Sequence, residues 1–238
     1  MFCKVNGVDI PLVSTGTSPF FGPPTFGDRA NAYREKFMNN AEAMLEIMKA
    51  CYEAGGRGIE AVPMGAICDA IKIMKETYSD YVVTGSTVPG PNPNLDDLLE
   101  VDAKIIFVHG AISDRKNEKF LKLLDEISSR GAIPGVATHN PLSTIKYVLE
   151  NAPEVKAFLI PFNTNGFMMW DQQALEELVD THKNHYFFGM KTVDTGRLEP
   201  QKAFEYISRH NISAVAIGMV EAEEAQTSTR IALKALQR

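Results

Sequence analysis

The chain has 238 residues, 45% of them hydrophobic, with 24 Lys and Arg against 30 Asp and Glu, a formal net charge of −6 and a pI near 5.4. That length is ample for a buried core, and single-domain barrels run to about 250 residues, so one domain over residues 1–238 is expected. The acidic balance and scattered basic residues exclude a phosphate-backbone surface, and no apolar run reaches membrane-spanning length, so neither nucleic acid nor membrane is an expected partner.

Cys3, Cys51 and Cys68 show no metal-ligand spacing and no disulfide framework. The start MFCKVNGVDIPLV lacks the long apolar stretch of a signal peptide, so a reducing cytoplasm is the expected compartment. Residues 2–5 and 8–10 read as a hairpin, because Asn6-Gly7 suits the φ > 0 positions of a type I′ turn. Eight short apolar runs fill the chain at 10–15, 58–62, 80–85, 104–109, 133–138, 156–162, 185–191 and 214–219. Each is followed by an amphipathic stretch. Nearly uniform apolar strands alternating with helices predict an α/β chain, a (β/α)8 TIM barrel, with the hairpin closing its bottom.

After the first run, GTSPFFGPPTFGDRANAYREKF is a long connection rich in Pro, Gly and aromatics. It reads equally as a lid over the mouth or as a surface loop packing its own Phe residues. The stretch 40–54 carries Met44, Ile47, Met48 and Cys51 on one helical face and stops at Gly55-Gly56. In 116–130, Phe120, Leu123, Leu124 and Ile127 repeat the helical spacing, and Gly131 ends it. Helices are likewise predicted over 171–183, 200–210 and 221–236. The third unit is the shortest, since STVPGPNPN leaves only 95–100 for its helix.

The ends of the runs collect Glu60, Thr84, His109, His139, Asn140, Asn163 and Lys191, which one barrel mouth would bring together. Glu60, His109 and His139 offer a carboxylate and two imidazoles, a set able to hold a divalent metal with open positions. The alternative is that the histidines are polar residues lining a solvated pocket. Lys191 is a candidate for Schiff-base chemistry, or more simply for binding a substrate anion or pairing with Asp194. Thr84, Asn140, Asn163 and Arg197 are candidates for contacting a small polar substrate; the two Asn side chains would otherwise tie down loop backbone. Phe167, Met168, Met169 and Trp170 form an apolar loop that would line the pocket or meet a second subunit of a homo-oligomer.

Several stretches resemble the aldo-keto reductases in order: VNGVDIPLVSTGTSPF, the hairpin and first strand; AGGRGIEAVPMGA, the second strand; and VDAKIIFVHG, the fourth strand ending in His. GVATHNP stands where that family has a Ser-Asn pair, and TGRLEPQKAFEYISRHNISAVAIGMVEAEEAQ is similar to its last helix, strand and cofactor-binding helix. The resemblance implies a barrel with a catalytic Asp, Tyr, Lys and His. Glu60 stands for the Asp and His109 for the His. The Tyr falls near Met64-Gly65 and the Lys on Gly85 or Ser86, so the acid that would protonate an alkoxide and its activating Lys are both missing. In GMVEAEE, Glu221, Glu223 and Glu224 occupy the first turn where the family holds cofactor phosphates; Gly218 still permits close approach, but NADP is not expected. The leading expectation is a small-molecule enzyme, a lyase, isomerase or hydrolase using Glu60, His109 and Lys191 on a carbonyl or anionic metabolite, with a divalent metal as an option. A divergent NAD(P)-dependent oxidoreductase and a non-catalytic ligand-binding barrel are the alternatives.

Overall fold

In the computed structural model, which describes residues 1–90 and 92–237, Asn6 and Gly7 take φ values of 48° and 85°. Their turn joins β1 (Phe2–Val5) to antiparallel β2 (Val8–Pro11). The run expected as one strand at 10–15 is therefore divided. Pro11 has no N–H to extend a ladder and ends β2, and the barrel begins at Val13.

Eight parallel strands close into a ring: β3 (Val13–Gly16), β4 (Gly58–Ala61), β5 (Val82–Ser86), β6 (Ala103–Val108), β7 (Ile133–Ala137), β8 (Ala157–Pro161), β9 (Tyr186–Met190) and β10 (Ala214–Gly218). They follow sequence order, and β10 pairs with β3 to complete the barrel. The outer helices are α1 (Ala30–Phe37), α2 (Ala41–Glu53), α3 (Ile67–Thr77), α4 (Leu95–Glu100), α5 (Gly110–Ser113), α6 (Glu118–Ser129), α7 (Pro141–Asn151), α8 (Gln172–Thr181), α9 (Pro200–Ile207) and α10 (Ala222–Leu236). Asn40, Asn117 and Asp171 cap α2, α6 and α8, each accepting a backbone N–H from the first turn. The short third helix sits close to its strand. A Cβ on Gly85 would lie 2.7 Å from the Ala61 carbonyl oxygen as well as 2.4 Å from Leu98 Cδ2, so Gly is required there.

Inside the ring, Val5 and Ile10 of the hairpin are fully buried and pack with Ile105, Ala157 and Ala214 near the strand starts, which closes the N-terminal end. Above them Phe107 and Phe188 meet edge to face, with ring centroids 5.4 Å apart. Phe107 leans over Gly135, whose missing Cβ would lie 2.5 Å from its ring. Above this packed floor a cavity opens at the C-terminal mouth.

The connection 16–37 is folded rather than loose. It forms two short 3-10 turns, Ser18–Phe21 and Pro24–Arg29, followed by α1. Phe20 and Phe37 are fully buried with centroids 4.8 Å apart, so the segment does pack its own rings. It also covers the mouth.

Candidate active site

Strand side chains alternate between the interior and the helices. In β6, Ile105 and Phe107 face inward, and the same parity carries His109 to the top of the barrel. In β5 it carries Ser86 there, and in β4 Glu60. A cavity of about 560 Å³ between these ends and the lid is bordered by Glu60, Ser86, His109, His139, Met190 and Lys191, with Phe21, Phe26, Arg29 and Tyr33 above.

Glu60 is buried at the end of β4. Thr17, at the start of the lid, donates both its backbone N–H (3.3 Å) and its hydroxyl (3.0 Å) to the Glu60 carbonyl, and its hydroxyl accepts from Val62 N. The carboxyl accepts a 2.6 Å hydrogen bond from Ser86 Oγ. Burial pushes its pKa from 4.5 up to about 7, against the opposing pull of the Ser86 bond and the Lys191 charge.

Lys191 follows the inward-facing Met190, so strict alternation would send it outward. Its backbone instead adopts φ 55°, an uncommon left-handed conformation for a non-Gly residue, and the side chain borders the cavity. Burial lowers its pKa and Glu60 raises it, with burial the larger effect. No hydrogen bond or ion pair to Lys191 Nζ is formed among the described residues. The expected partner Asp194 instead accepts from Asn165 Nδ2 at 2.7 Å and lies 3.6 Å from Arg197.

His109 and His139 are neighbours, ring centroids 5.4 Å apart and nearly perpendicular. His109 Nδ1 accepts from Ala111 N at 3.1 Å, capping α5, so a neutral ring carries its proton on Nε2. Burial, then His139, lowers the His109 pKa from 6.5 to about 4, and burial and Lys191 lower that of His139. His139 is held through its backbone: its N–H donates to Asp114 Oδ2 (2.9 Å) and its carbonyl accepts from Trp170 Nε1 (2.7 Å). The metal set expected from Glu60, His109 and His139 is not assembled. Among the described residues no group of three or more His, Cys, Asp or Glu is placed to hold an ion. The Ser86 bond leaves the Glu60 carboxyl further lone pairs, but the backbone N–H on His109 Nδ1 takes the one lone pair of that neutral ring.

The four expected substrate contacts lie elsewhere. Thr84 shares the inward face with Ser86 but sits two residues deeper and donates to the Ile59 carbonyl at 3.2 Å. Asn163 is fully buried and bonds the Phe167 backbone in both directions, fixing the loop that follows β8. Asn140 precedes α7, and Arg197 lies over the Phe167 ring; neither borders the cavity. In the apolar loop, Met169 is fully buried, Met168 borders the cavity and Trp170 stays 78% exposed at the rim. Sequence reading passed over Ser86 as a binding group and did not single out Arg29. Strand parity carries the signal for Ser86; nothing local to the sequence marks Arg29, which reaches the site only through the lid.

At the β10–α10 junction, the Val220 N–H is already taken by Glu224 Oε2 (2.9 Å), and Glu221 pairs with Lys36 (2.9 Å). A Cβ on Gly218 would lie 2.8 Å from Pro19, so the lid faces that glycine closely. Glu224 and the Lys36-paired Glu221 thus occupy the start of α10, where the resembled family holds cofactor phosphates.

No family model matches the sequence, and no curated protein sequence does. Solved structures do match the fold. An aldo-keto reductase from Brucella melitensis superimposes with a TM-score of 0.65 at 12% identity, over 100% of this chain and 99% of that one. A mutant of Gox0644 in complex with NADPH gives 0.66 at 13% identity, covering 98% and 90%. The 2-keto-3-deoxy-6-phosphogluconate aldolase of Zymomonas mobilis, with 3-phosphoglycerate, gives 0.55 at 19%, covering 82% and 87%. The chain is thus a closed (β/α)8 barrel whose fold is similar to that of solved aldo-keto reductases, in agreement with the resemblance read in its sequence.

Proposed function

We propose that the protein is an imine-forming enzyme that makes or breaks a carbon–carbon bond beside the carbonyl of a small metabolite, with Lys191 as nucleophile and Glu60 as proton carrier. The observation that carries this reading is a half-buried lysine with no hydrogen bond or ion pair to its amine among the described residues, in the same cavity as a buried carboxyl. Desolvation favours the neutral, nucleophilic amine, and a carboxyl with a pKa of about 7 is available in both forms near neutral pH. The aldolase among the fold neighbours supports a non-redox role for such a barrel.

Neutral Lys191 Nζ adds to the carbonyl carbon, and proton transfer gives a carbinolamine. Protonated Glu60 gives its proton to the departing hydroxyl, water leaves and an iminium remains. The Glu60 carboxylate then takes the proton of a hydroxyl on the β-carbon. The adjacent carbon–carbon bond breaks into the iminium, giving a carbonyl fragment and an enamine. Reprotonation and hydrolysis return Lys191. His109, neutral with its proton on Nε2, suits donation to a substrate oxygen without adding charge.

The test is borohydride reduction in the presence of pyruvate and of glyceraldehyde, followed by peptide mass mapping. A reduced adduct confined to Lys191, absent in Lys191→Met and slower to form in Glu60→Gln, supports the reading. Adducts spread evenly over surface lysines, or none with either carbonyl, refute it.

A further inference from the structure

We infer that the same cavity holds a subsite for the phosphate group of a phosphorylated carbonyl substrate, built from Arg29 and Thr25 of the lid and Thr192 and Thr195 of the turn after β9. All four residues border the cavity. Arg29 Nη2 donates to the Thr195 carbonyl at 2.8 Å, which ties the lid to that turn and places a guanidinium beside it. Its other side-chain contacts are a long 3.3 Å bond to the Tyr33 hydroxyl and that residue's ring, 5.8 Å away, and no carboxylate pairs with it among the described residues. The guanidinium is solvent-exposed and carries no ion pair among the described residues, so it is free to turn onto an anion.

The hydroxyls supply the second, independent observation. Thr25, Thr192 and Thr195 each have a buried Oγ1 with no hydrogen-bond partner. Thr192 is 1% exposed and Thr195 8%. Buried hydroxyls are ordinarily satisfied, and three unsatisfied ones in residues that border one cavity are a cost that a side-chain rotation onto a ligand rich in acceptor oxygens would relieve. The turn is strained as well: Lys191, Asp194 and Thr195 all have positive φ, at 55°, 45° and 56°. Such backbone persists where surrounding structure enforces it, commonly at ligand sites. A guanidinium with several hydroxyl donors suits the three terminal oxygens of a phosphate monoester better than the two of a carboxylate. The position also differs from the N-terminus of α10, where Glu224 already occupies the Val220 N–H.

That the phosphate belongs to a carbonyl substrate rests on the imine reading of Lys191; the anion subsite itself does not. The experiment is calorimetric titration of the whole protein with inorganic phosphate, with acetate as control, alongside thermal melts. The expected result is saturable phosphate binding that Arg29→Gln weakens by about tenfold or more. Thr192→Val should weaken it severalfold while leaving the ligand-free melting temperature unchanged or higher, because it deletes an unpartnered hydroxyl. That variant keeps the test sharp if Arg29→Gln loosens the lid. Phosphate affinity unchanged in both variants, equal binding of acetate, or a loss seen only in Lys191→Met would overturn the subsite. Arg29-dependent phosphate binding without borohydride trapping would uphold the subsite and sink the imine reading, whereas trapping without phosphate binding would do the reverse.

Discussion

Replacing Glu60 by Gln should expose a pH dependence that the native site conceals. Glu60 has a folded pKa of about 7 against an ordinary 4.5, so between those values the folded chain keeps a proton that the unfolded chain has lost. Stability from this group falls as pH rises, by about 3 kcal/mol over the whole span. His109 works in the opposite sense. Its folded pKa of about 4 lies below the ordinary 6.5, so between those values the unfolded chain holds the extra proton and stability climbs with pH, again by about 3 kcal/mol. The lowered pKa of His139 adds in the same direction as His109. In the native protein these contributions largely cancel between pH 4.5 and 6.5, and the Glu60 loss shows mainly above that window. Urea unfolding of Glu60→Gln should therefore show stability rising from pH 4.5 to 6.5. At pH 8 the variant should exceed wild type by up to about 3 kcal/mol, or about 6–12 °C in melting temperature. The amide keeps an acceptor for Ser86 and loses only the charge. His109→Asn should show the reverse slope, falling from pH 4.5 to 7. If Glu60→Gln follows the wild-type profile within about 0.5 kcal/mol, Glu60 is not a desolvated carboxyl and its role as proton carrier fails.

Ile10→Ala, measured by urea unfolding, should cost about 2–5 kcal/mol, because its side chain plugs the barrel against Ile105 and Ala214; a loss below about 1 kcal/mol would show that the hairpin does not close the bottom. Gly110→Ala places a Cβ 2.6 Å from His139 Nδ1, so it should displace that ring, cost about 1–3 kcal/mol of stability and slow borohydride trapping at Lys191; unchanged trapping would show that the His139 position does not matter. NADPH-dependent reduction of simple aldehydes should run about 10²–10⁴-fold below that of a barrel with a positioned Tyr acid, and robust turnover lost in His109→Ala would mean that this imidazole has replaced it.

Much of the barrel was legible because a strand buried on both faces must be apolar throughout, and eight such runs with helical stretches between them leave few other folds. Asn6-Gly7 announced the hairpin, since those residues tolerate positive φ. Glu60 and His109 were legible as residues of the cavity rim because they end strands on the inward parity. The same parity rule, applied one step further, separates Ser86 at the mouth from Thr84 below it.

What local sequence could not decide was set by backbone conformation and by chain brought in from afar. Lys191 lies on the outward parity of β9, and only its left-handed φ returns it to the cavity. Arg29 and Thr25 reach the mouth because Thr17 clamps the lid to the Glu60 carbonyl and Phe20 packs on Phe37, contacts between side chains with no local signature. Glu60, His109 and His139 looked like a metal set by type. A ligand set, however, depends on which lone pairs remain free, and the Ala111 N–H had already claimed that of His109. Residue type and period thus determined the fold and the rim on which chemistry is placed, whereas hydrogen-bond allocation and φ at single residues, which depend on the packed neighbours, decided which groups face the cavity unpaired.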